Sequence, residues 1–308
     1  MNGLFFIINQ HSGFGRGKKA WKKVKKELEK KKISFRSFYT DYHGHAEVLA
    51  RQIATIQDYH LKTIIGVGGN GTMNGIVNGL SGFSKVKIAF LYTGRTTQRS
   101  HTRLSSNPSK AIKDILKMLS RPVKKVDLVE YQLEGKGVKR KYFNKLGMGL
   151  TTKVIEQENL LKKELMKPIL GRIRFMTGFI KVLWDYQPIS IMMKTDKQEM
   201  VQHDNVWLLS ISNQPYQWAG INIAPKAKEN DGMLTITMIK NLSLFQLVVF
   251  LVFKQMSHRV KQNAFSEFTC EKITISTNAV QTIEADGELI GESPVTVVVK
   301  KSHSELVI

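Results

Sequence analysis

The stretch Ile64-Ile65-Gly66-Val67-Gly68-Gly69-Asn70-Gly71-Thr72 decides how this chain is read. An apolar strand runs into three glycines in four positions, and Met73, Ile76, Val77 and Leu80 then recur at helical spacing. A glycine turn between strand and helix lets backbone N–H groups approach an anion while the helix N-terminus supplies a positive dipole. The pattern reads as a phosphate-binding turn and equally, on its glycines alone, as a structural turn. Gly66, Gly68 and Gly71 also fit the dinucleotide spacing. The turn follows the third strand instead of the first, however, and the next strand ends in Ala89-Phe90-Leu91-Tyr92 with no acidic residue, so an NAD site is not expected.

On either side of this turn, short apolar runs alternate with helical patterns. Strands are expected over 4–8, 35–39, 63–67 and 87–92. Helices are expected over 18–32, around Ala46, Leu49, Ala50 and Ile53, after Gly71, and around Ile112, Ile115 and Leu119. Ser12, Gly13, Gly15 and Gly17 read as a flexible turn; its Gly13 to Lys19 portion imitates a phosphate loop, but with spacing one residue short and no Ser or Thr for magnesium. His43 and His45 read as loop or helix-start residues. The alternation describes an α/β domain with a mostly parallel sheet over 1–122. From 123 to 308 the texture becomes strands at 125–132, 139–145, 189–194, 206–212, 234–240, 267–276 and 280–285, with helical insertions at 159–184 and 242–259. That pattern describes an antiparallel β-sandwich domain, and the last strand, 295–299, and the tail are compatible with either domain.

The 308 residues include 47 Lys+Arg against 25 Asp+Glu, a formal net charge of +22, with an ordinary 42% hydrophobic content. A disordered polybasic tail is excluded by that content. The lone Cys270 cannot form an intramolecular disulfide and fits a reducing, cytoplasmic setting. The greasiest run, 242–253, is short of the ~20 residues of a spanning helix, and the N-terminus has no basic region before its apolar run, so neither a transmembrane segment nor a secretion signal is expected. Excess positive charge points to polyanions in general.

Gly68-Gly69-Asn70-Gly71-Thr72, followed by Asn74 and Val77-Asn78-Gly79-Leu80, resembles the G-G-D-G-T-x-N-E-V-V-N-G-L signature of the diacylglycerol kinase catalytic superfamily, which includes bacterial lipid kinases, sphingosine kinases and ceramide kinases. The resemblance extends along the chain in the family's order. Ile7-Ile8-Asn9 with Ser12-Gly13 is similar to its opening motif, and Thr40 with Gly44-His45-Ala46 to its T-x-x-x-G-H-A segment. Phe143-Asn144 with Gly147-Met148-Gly149, Asn213-Gln214-Pro215-Tyr216 with Gly220, Ala224-Pro225-Lys226-Ala227 and Asp231-Gly232-Met233-Leu234 follow. Asp286-Gly287-Glu288 with Glu292-Ser293-Pro294-Val295 is similar to its D-G-E-x-x-x-x-T-P-V.

The resemblance implies an ATP-dependent kinase that phosphorylates a lipid hydroxyl, with nucleotide bound between the two domains. Gly68, Gly69, Asn70, Gly71 and Thr72 would hold phosphates; Asn9, Thr40, Gly94 and Thr96 would sit beside the nucleotide. Asp286 or Glu288 would take the hydroxyl's proton, as in-line phosphoryl transfer asks for a positioned acceptor. A structural Mg2+ would fall on Asp231 with carbonyls of Lys228 and Met233. By its residues alone, Asp286-Gly287-Glu288 also reads as a hairpin turn.

Three departures fall in the nucleotide half. Asn70 stands at the family's Asp, Gly75 at its usual Glu, and Thr97-Gln98 at its Asn-Asp. Carboxylates there would hold the metal that bridges the phosphates. Two functions follow: a working lipid kinase, or a degenerate member that binds nucleotide or anionic lipid without phosphorylating it. A lipid kinase acts peripherally on an anionic membrane, at ~1 kcal/mol per basic side chain near the surface. The nine lysines of 18–32, and Lys162, Lys163, Lys167, Arg172, Arg174 and Lys181 among apolar residues, are the expected docking stretches. No nucleic-acid-binding motif accompanies the charge, and nucleic acid is not expected as a partner.

Overall fold

A computed structural model of the chain describes residues 2–57, 61–83, 86–93, 104–105, 107–120, 126–142, 144–160, 168–218, 221–253, 264–300 and 306–307. Its first half alternates β1 (Asn2–Ile8), α1 (Ser12–Lys30), β2 (Arg36–Tyr39), α2 (His45–Thr55), β3 (Leu61–Gly68), α3 (Asn70–Gly79), β4 (Val86–Tyr92) and α4 (Pro108–Ser120). The strands form one parallel sheet in the order β2-β1-β3-β4, and β18 (Leu306–Val307) returns from the end of the chain to pair with β4. Their continuous apolar runs follow from burial on both faces. Along β1, Phe6 and Ile8 face Trp21, Val24 and Leu28 of α1 with Ile112 and Ile115 of α4, whereas Phe5 and Ile7 face α2 and α3. This alternation is the two-residue period of a strand. Truncating a fully buried residue such as Leu28 to Ala would cost about 2–5 kcal/mol.

Helix α1 begins six residues earlier than its lysine pattern predicts, and the expected flexible turn forms its first turns. Gly17 lies against the end of β1, where a Cβ would stand 2.2 Å from the Asn9 carbonyl, and Ser12 Oγ donates to that carbonyl at 2.9 Å. Small side chains therefore let the helix start directly under the strand.

The second half is the expected antiparallel assembly. Its elements are β5 (Leu128–Leu133), β6 (Arg140–Tyr142), β7 (Lys145–Gly149), α5 (Leu150–Leu160), α6 (Pro168–Asp185), β8 (Ile189–Thr195), β9 (Val201–Ser212), β10 (Tyr216–Trp218), β11 (Ile221–Ala224) and β12 (Leu234–Lys240). After these come α7 (Leu244–Phe253), β13 (Phe265–Cys270), β14 (Lys272–Thr277), β15 (Thr282–Ala285), β16 (Glu288–Glu292) and β17 (Val295–Lys300). Among the described residues one sheet runs β16-β15-β7-β9-β8-β14-β17-β5-β6, with β12 and β13 branching from β9. The long β9 pairs with β8 through its first half and with β7 and β12 through its second, so it bends between layers around a core that includes Tyr142, Leu146, Ile211 and Val297.

Two stretches expected as single strands are each split by a turn, buried at the first and exposed at the second. At 139–145 the break comes at Asn144, where the Asn144 and Lys145 N–H groups donate to Asp286 Oδ1 at 2.9 and 3.1 Å. At 267–276 it comes at Glu271, where the N–H groups of Glu271 and Lys272 donate to Asp196 Oδ1 at 3.0 and 3.2 Å. The insertion expected over 159–184 corresponds to α6 and the last two residues of α5, with 161–167 outside the described residues. Helix α5 was hidden because Thr151, Thr152, Val154 and Ile155 are weak helix formers; burial of Leu150 and Val154 overrides the propensity. No helix among the described residues is long and apolar enough to cross a membrane.

Candidate active site

In the parallel sheet the chain order reverses between β1 and β3, and at such a switch point the carboxyl ends of the strands frame a crevice. Asn9 follows β1, Thr40 follows β2 and Gly69 follows β3. The Asn9 N–H donates to Val67 O at 2.9 Å and the Thr40 N–H to Ile8 O at 3.0 Å, which fixes all three side by side. Helices α1, α2 and α3 start there from His11, Gly44 and Gly69, none with a side-chain cap bond. The starts of α4 and α7, by contrast, are capped: Asn107 Oδ1 accepts the Lys110 N–H in α4, and Ser243 Oγ accepts the Gln246 N–H in α7. Three uncapped starts thus open onto one cleft of about 500 Å³. In α1 and α2 the Ser12, His45 and Glu47 N–H groups donate to the Asn9, Tyr42 and Gly44 carbonyls, so the first turn of α3 is the one suited to an anionic ligand. Gly44 holds φ 88, a left-handed turn that suits glycine.

The opposite wall comes from the second half of the chain. Glu288 lies against the glycine turn, where a Cβ on Gly71 would stand 2.2 Å from its Oε1. Beside it, a Cβ on Gly287 would stand 2.4 Å from Asn70 Nδ2, and Asn70 Oδ1 is buried with no hydrogen-bond partner. Ile155, Glu158 and Asn159 of α5 complete this side. The walls are tied by Asn78, which hydrogen-bonds the Lys141 backbone, and by Arg140, which donates to Glu47 Oε2 at 2.7 Å.

Of the residues expected from sequence, Asn9, Thr40, Gly69, Asn70, Gly71, Thr72 and Glu288 line the cleft. Thr72 Oγ1 accepts from Asn9 Nδ2 at 3.4 Å, and Gly68 packs on the Thr72 side chain just behind the lining. Asp286 is fully buried beneath Glu288, with Oδ1 held by the two N–H groups that break the strand at Asn144. Gly94, Thr96 and the Thr97-Gln98 departure lie outside the described residues. Gly75 sits where α3 meets α2; a Cβ would be 3.1 Å from that of Ala46, so the small residue permits the close packing. Asp231 is remote from the cleft lining: its Oδ1 accepts the Met233 N–H at 3.0 Å, while buried Asp127 accepts the Gly232 N–H at 2.7 Å. Among the described residues no three His, Cys, Asp or Glu side chains cluster as a metal site.

Sequence reasoning missed a buried ion pair under the Asp286-Gly287-Glu288 hairpin. Lys145 and Glu284, both fully buried, pair with each other, and Glu284 Oε2 accepts the Gly287 N–H at 2.9 Å. Burial pushes the Lys145 ammonium down to about 7, against the opposing pull of the Asp286 charge. Burial, reinforced by that same charge, pushes the Tyr142 phenol up. The only sequence signal was a charged residue inside each of two otherwise apolar strands. Asn78 was read only as part of the family resemblance, and Asp127 and the α5 residues carried no signal of their own.

Residues 3–131 match the diacylglycerol kinase catalytic domain, and residues 149–307 match the YegS C-terminal NAD kinase beta sandwich-like domain. A relative from Bacillus subtilis (strain 168), provisionally named lipid kinase YtlR, is 31% identical over 301 residues, covering 96% of this chain and 96% of the relative. A protein named diacylglycerol kinase from Staphylococcus carnosus (strain TM300) is 22% identical over 308 residues, covering 97% of this chain and 93% of the relative. The solved structure of a diacylglycerol kinase from Bacillus anthracis str. Sterne superposes with a TM-score of 0.69 at 18% identity, covering 99% of this chain and 96% of that one. Yeast NADH kinase complexed with NADH superposes with a TM-score of 0.51 at 11% identity, covering 99% and 82%; both structures speak to fold alone. With each half of the fold matched and the Bacillus subtilis relative aligned nearly end to end, this chain belongs to the diacylglycerol kinase catalytic superfamily, a family of lipid kinases.

Proposed function

We propose that this chain transfers the γ-phosphoryl group of ATP to the hydroxyl of a lipid presented at an anionic membrane surface, acting peripherally. The observation that carries this reading is the placement of the Glu288 carboxylate against Gly71, where three uncapped helix starts share one cleft. Phosphates are suited to the first-turn N–H groups of α3, with Gly68, Gly69, Gly71 and Thr72 shaping the turn and Asn9 and Thr40 beside it. In-line transfer then asks for an acceptor oxygen held at the far wall and a base to take its proton. Glu288 faces the cleft and is suited to that proton; Asp286, buried and held by backbone N–H groups, positions the hairpin that carries Glu288.

Mg2+ bound with the nucleotide would neutralise charge developing on the phosphates. Glu288 is the carboxylate beside the glycine turn that fits it, whereas Asn70 offers an uncharged oxygen there. A second, structural Mg2+ would be held by the exposed Asp231 carboxylate with the carbonyls of Lys228 and Met233.

The second reading, nucleotide or lipid binding without transfer, is favoured by one observation: Asn70 at the family's Asp position, its Oδ1 buried and unbonded. Purified protein incubated with labelled Mg·ATP and mixed micelles separates the two. The labelled phosphate ester of diacylglycerol, monoacylglycerol, phosphatidylglycerol or a sphingoid base is the expected product, with ADP released. Nucleotide binding with no label in any of these lipids would overturn the kinase reading in favour of the second.

A further inference from the structure

Helix α6 packs one side against the second half of the molecule. Leu183, with Phe179 and Val182 at its margin, joins a core containing Trp207, Leu242 and Leu247. Away from that contact, Met176, Ile180 and Trp184 are 54%, 57% and 75% exposed. Their four-residue spacing aligns them in one stripe along the helix. Lys181, one turn from Trp184, borders that stripe, and Arg174, two turns before Lys181, lies on the same line of the helix as Lys181; both are exposed. Single exposed apolar residues need no explanation, but an aligned row of large ones ending in Trp marks an interaction surface.

We infer that this face of α6 is the surface by which the protein lies on an anionic bilayer, with Met176, Ile180 and Trp184 entering the interface and Arg174 and Lys181 meeting lipid phosphates. An apolar stripe beside basic residues is the pattern of helices that lie in the membrane plane, and Trp favours that depth. Charge selects the bilayer over a second copy of the chain, because two molecules of net charge +22 repel each other and an anionic surface attracts both. Position supports the same occupant. Helix α6 packs on α5, whose Ile155, Glu158 and Asn159 line the cleft, so the proposed face belongs to the helix next to the cleft wall. The purpose of the surface rests on the lipid-kinase reading, but its binding is measured without turnover.

The full chain is floated with phosphatidylglycerol vesicles and with phosphatidylcholine vesicles, beside a Met176→Ser/Ile180→Ser/Trp184→Ser variant and an Arg174→Glu/Lys181→Glu variant. Wild type is expected on the phosphatidylglycerol vesicles, and each variant should bind at least about tenfold more weakly. Circular dichroism melting checks that the variants fold. Should the triple variant fail that check, quenching of wild-type tryptophan fluorescence by brominated phosphatidylglycerol decides, with Trp184→Phe expected to remove most of it. Wild-type binding by both folded variants, quenching unchanged in Trp184→Phe, or a dimer in sedimentation that the triple variant dissolves would each overturn the inference. Turnover on micelles without vesicle docking would overturn only the docking surface. Docking through α6 with no turnover on any lipid would overturn only the kinase reading.

Discussion

Asn78 and Lys141 join the two walls of the cleft through a pair of hydrogen bonds. Asn78 Nδ2 donates to the Lys141 carbonyl at 2.9 Å, and Asn78 Oδ1 accepts the Lys141 N–H, also at 2.9 Å. One carboxamide on α3 thus completes the exposed side of β6 as a strand would. The next residue, Arg140, pairs with Glu47 on α2, so adjacent positions of β6 reach both helices on that face of the parallel sheet. Asn78→Ala leaves two backbone groups without partners and should lower stability by about 1–3 kcal/mol in urea denaturation. Arg140→Ala removes a partly exposed pair and should cost about 1 kcal/mol or less. Equal costs would show that the carboxamide is not the main tie.

The orphan oxygen of Asn70 makes Asn70→Asp informative in both directions. A carboxylate there faces Glu288 across the glycine turn, and like charges that close repel in the absence of a cation. The variant should therefore melt below wild type without ligand and gain more from Mg·ATP than wild type does. On the kinase reading its turnover should rise about tenfold or more, in line with the several kcal/mol a metal can supply. An unchanged response to Mg·ATP would remove Asn70 from the metal's surroundings.

Glu288 and Asp286 should separate by phenotype. Glu288→Gln keeps the shape of the cleft wall and removes the base, so kcat should fall by about 10²–10⁴ with little change in melting temperature. Asp286→Asn weakens the acceptor that holds two backbone N–H groups and should lower stability as well as kcat. A kcat loss confined to Asp286→Asn would reverse the two roles.

Lys145→Met strands the Glu284 carboxylate in the core and should cost about 3–5 kcal/mol by chemical denaturation. Lys145→Met with Glu284→Leu removes both charges and should recover most of that stability, because an apolar pair of similar volume needs no desolvation of ions. The double variant also deprives the Gly287 N–H of its acceptor, so kcat should stay depressed where stability returns. Full recovery of both would make the pair purely structural.

Cys270 is fully buried, and burial pushes its thiol up to about 12 from an ordinary 9.0. The folded chain keeps this proton over a range in which the unfolded chain has lost it. Stability from this group is therefore complete below about pH 9 and declines as pH rises toward 12. Cys270→Ala should show a shallower loss of stability above pH 9 than wild type. Thiol reagents at pH 8 should label wild type only as it unfolds, since the thiolate is the reactive form; rapid labelling of folded protein would contradict the burial.

Much of the architecture was written locally. The runs at 4–8, 63–67 and 87–92 could only be strands buried on both faces, and the Trp21, Val24 and Leu28 spacing could only be one side of a helix. The glycine turn at 68–71 was legible as a strand-to-helix turn because glycine spacing acts on the backbone of its own segment. Boundaries were less legible. Helix α1 absorbed the glycines before Lys18, and strands broke at Asn144 and Glu271 because distant carboxylates, Asp286 and Asp196, take the backbone N–H groups there.

The sequence by itself determined a parallel α/β half, an antiparallel half and a glycine-rich turn between strand and helix, since hydrophobic period and turn chemistry are properties of neighbouring residues. Only the tertiary structure decided that Glu288 faces the cleft while Asp286 lies buried beneath it, that Lys145 finds Glu284, and that Leu306–Val307 closes the edge of the first sheet. Those outcomes depend on which surfaces are excluded from water when strands far apart in the chain are brought together. No short segment encodes its distant partner.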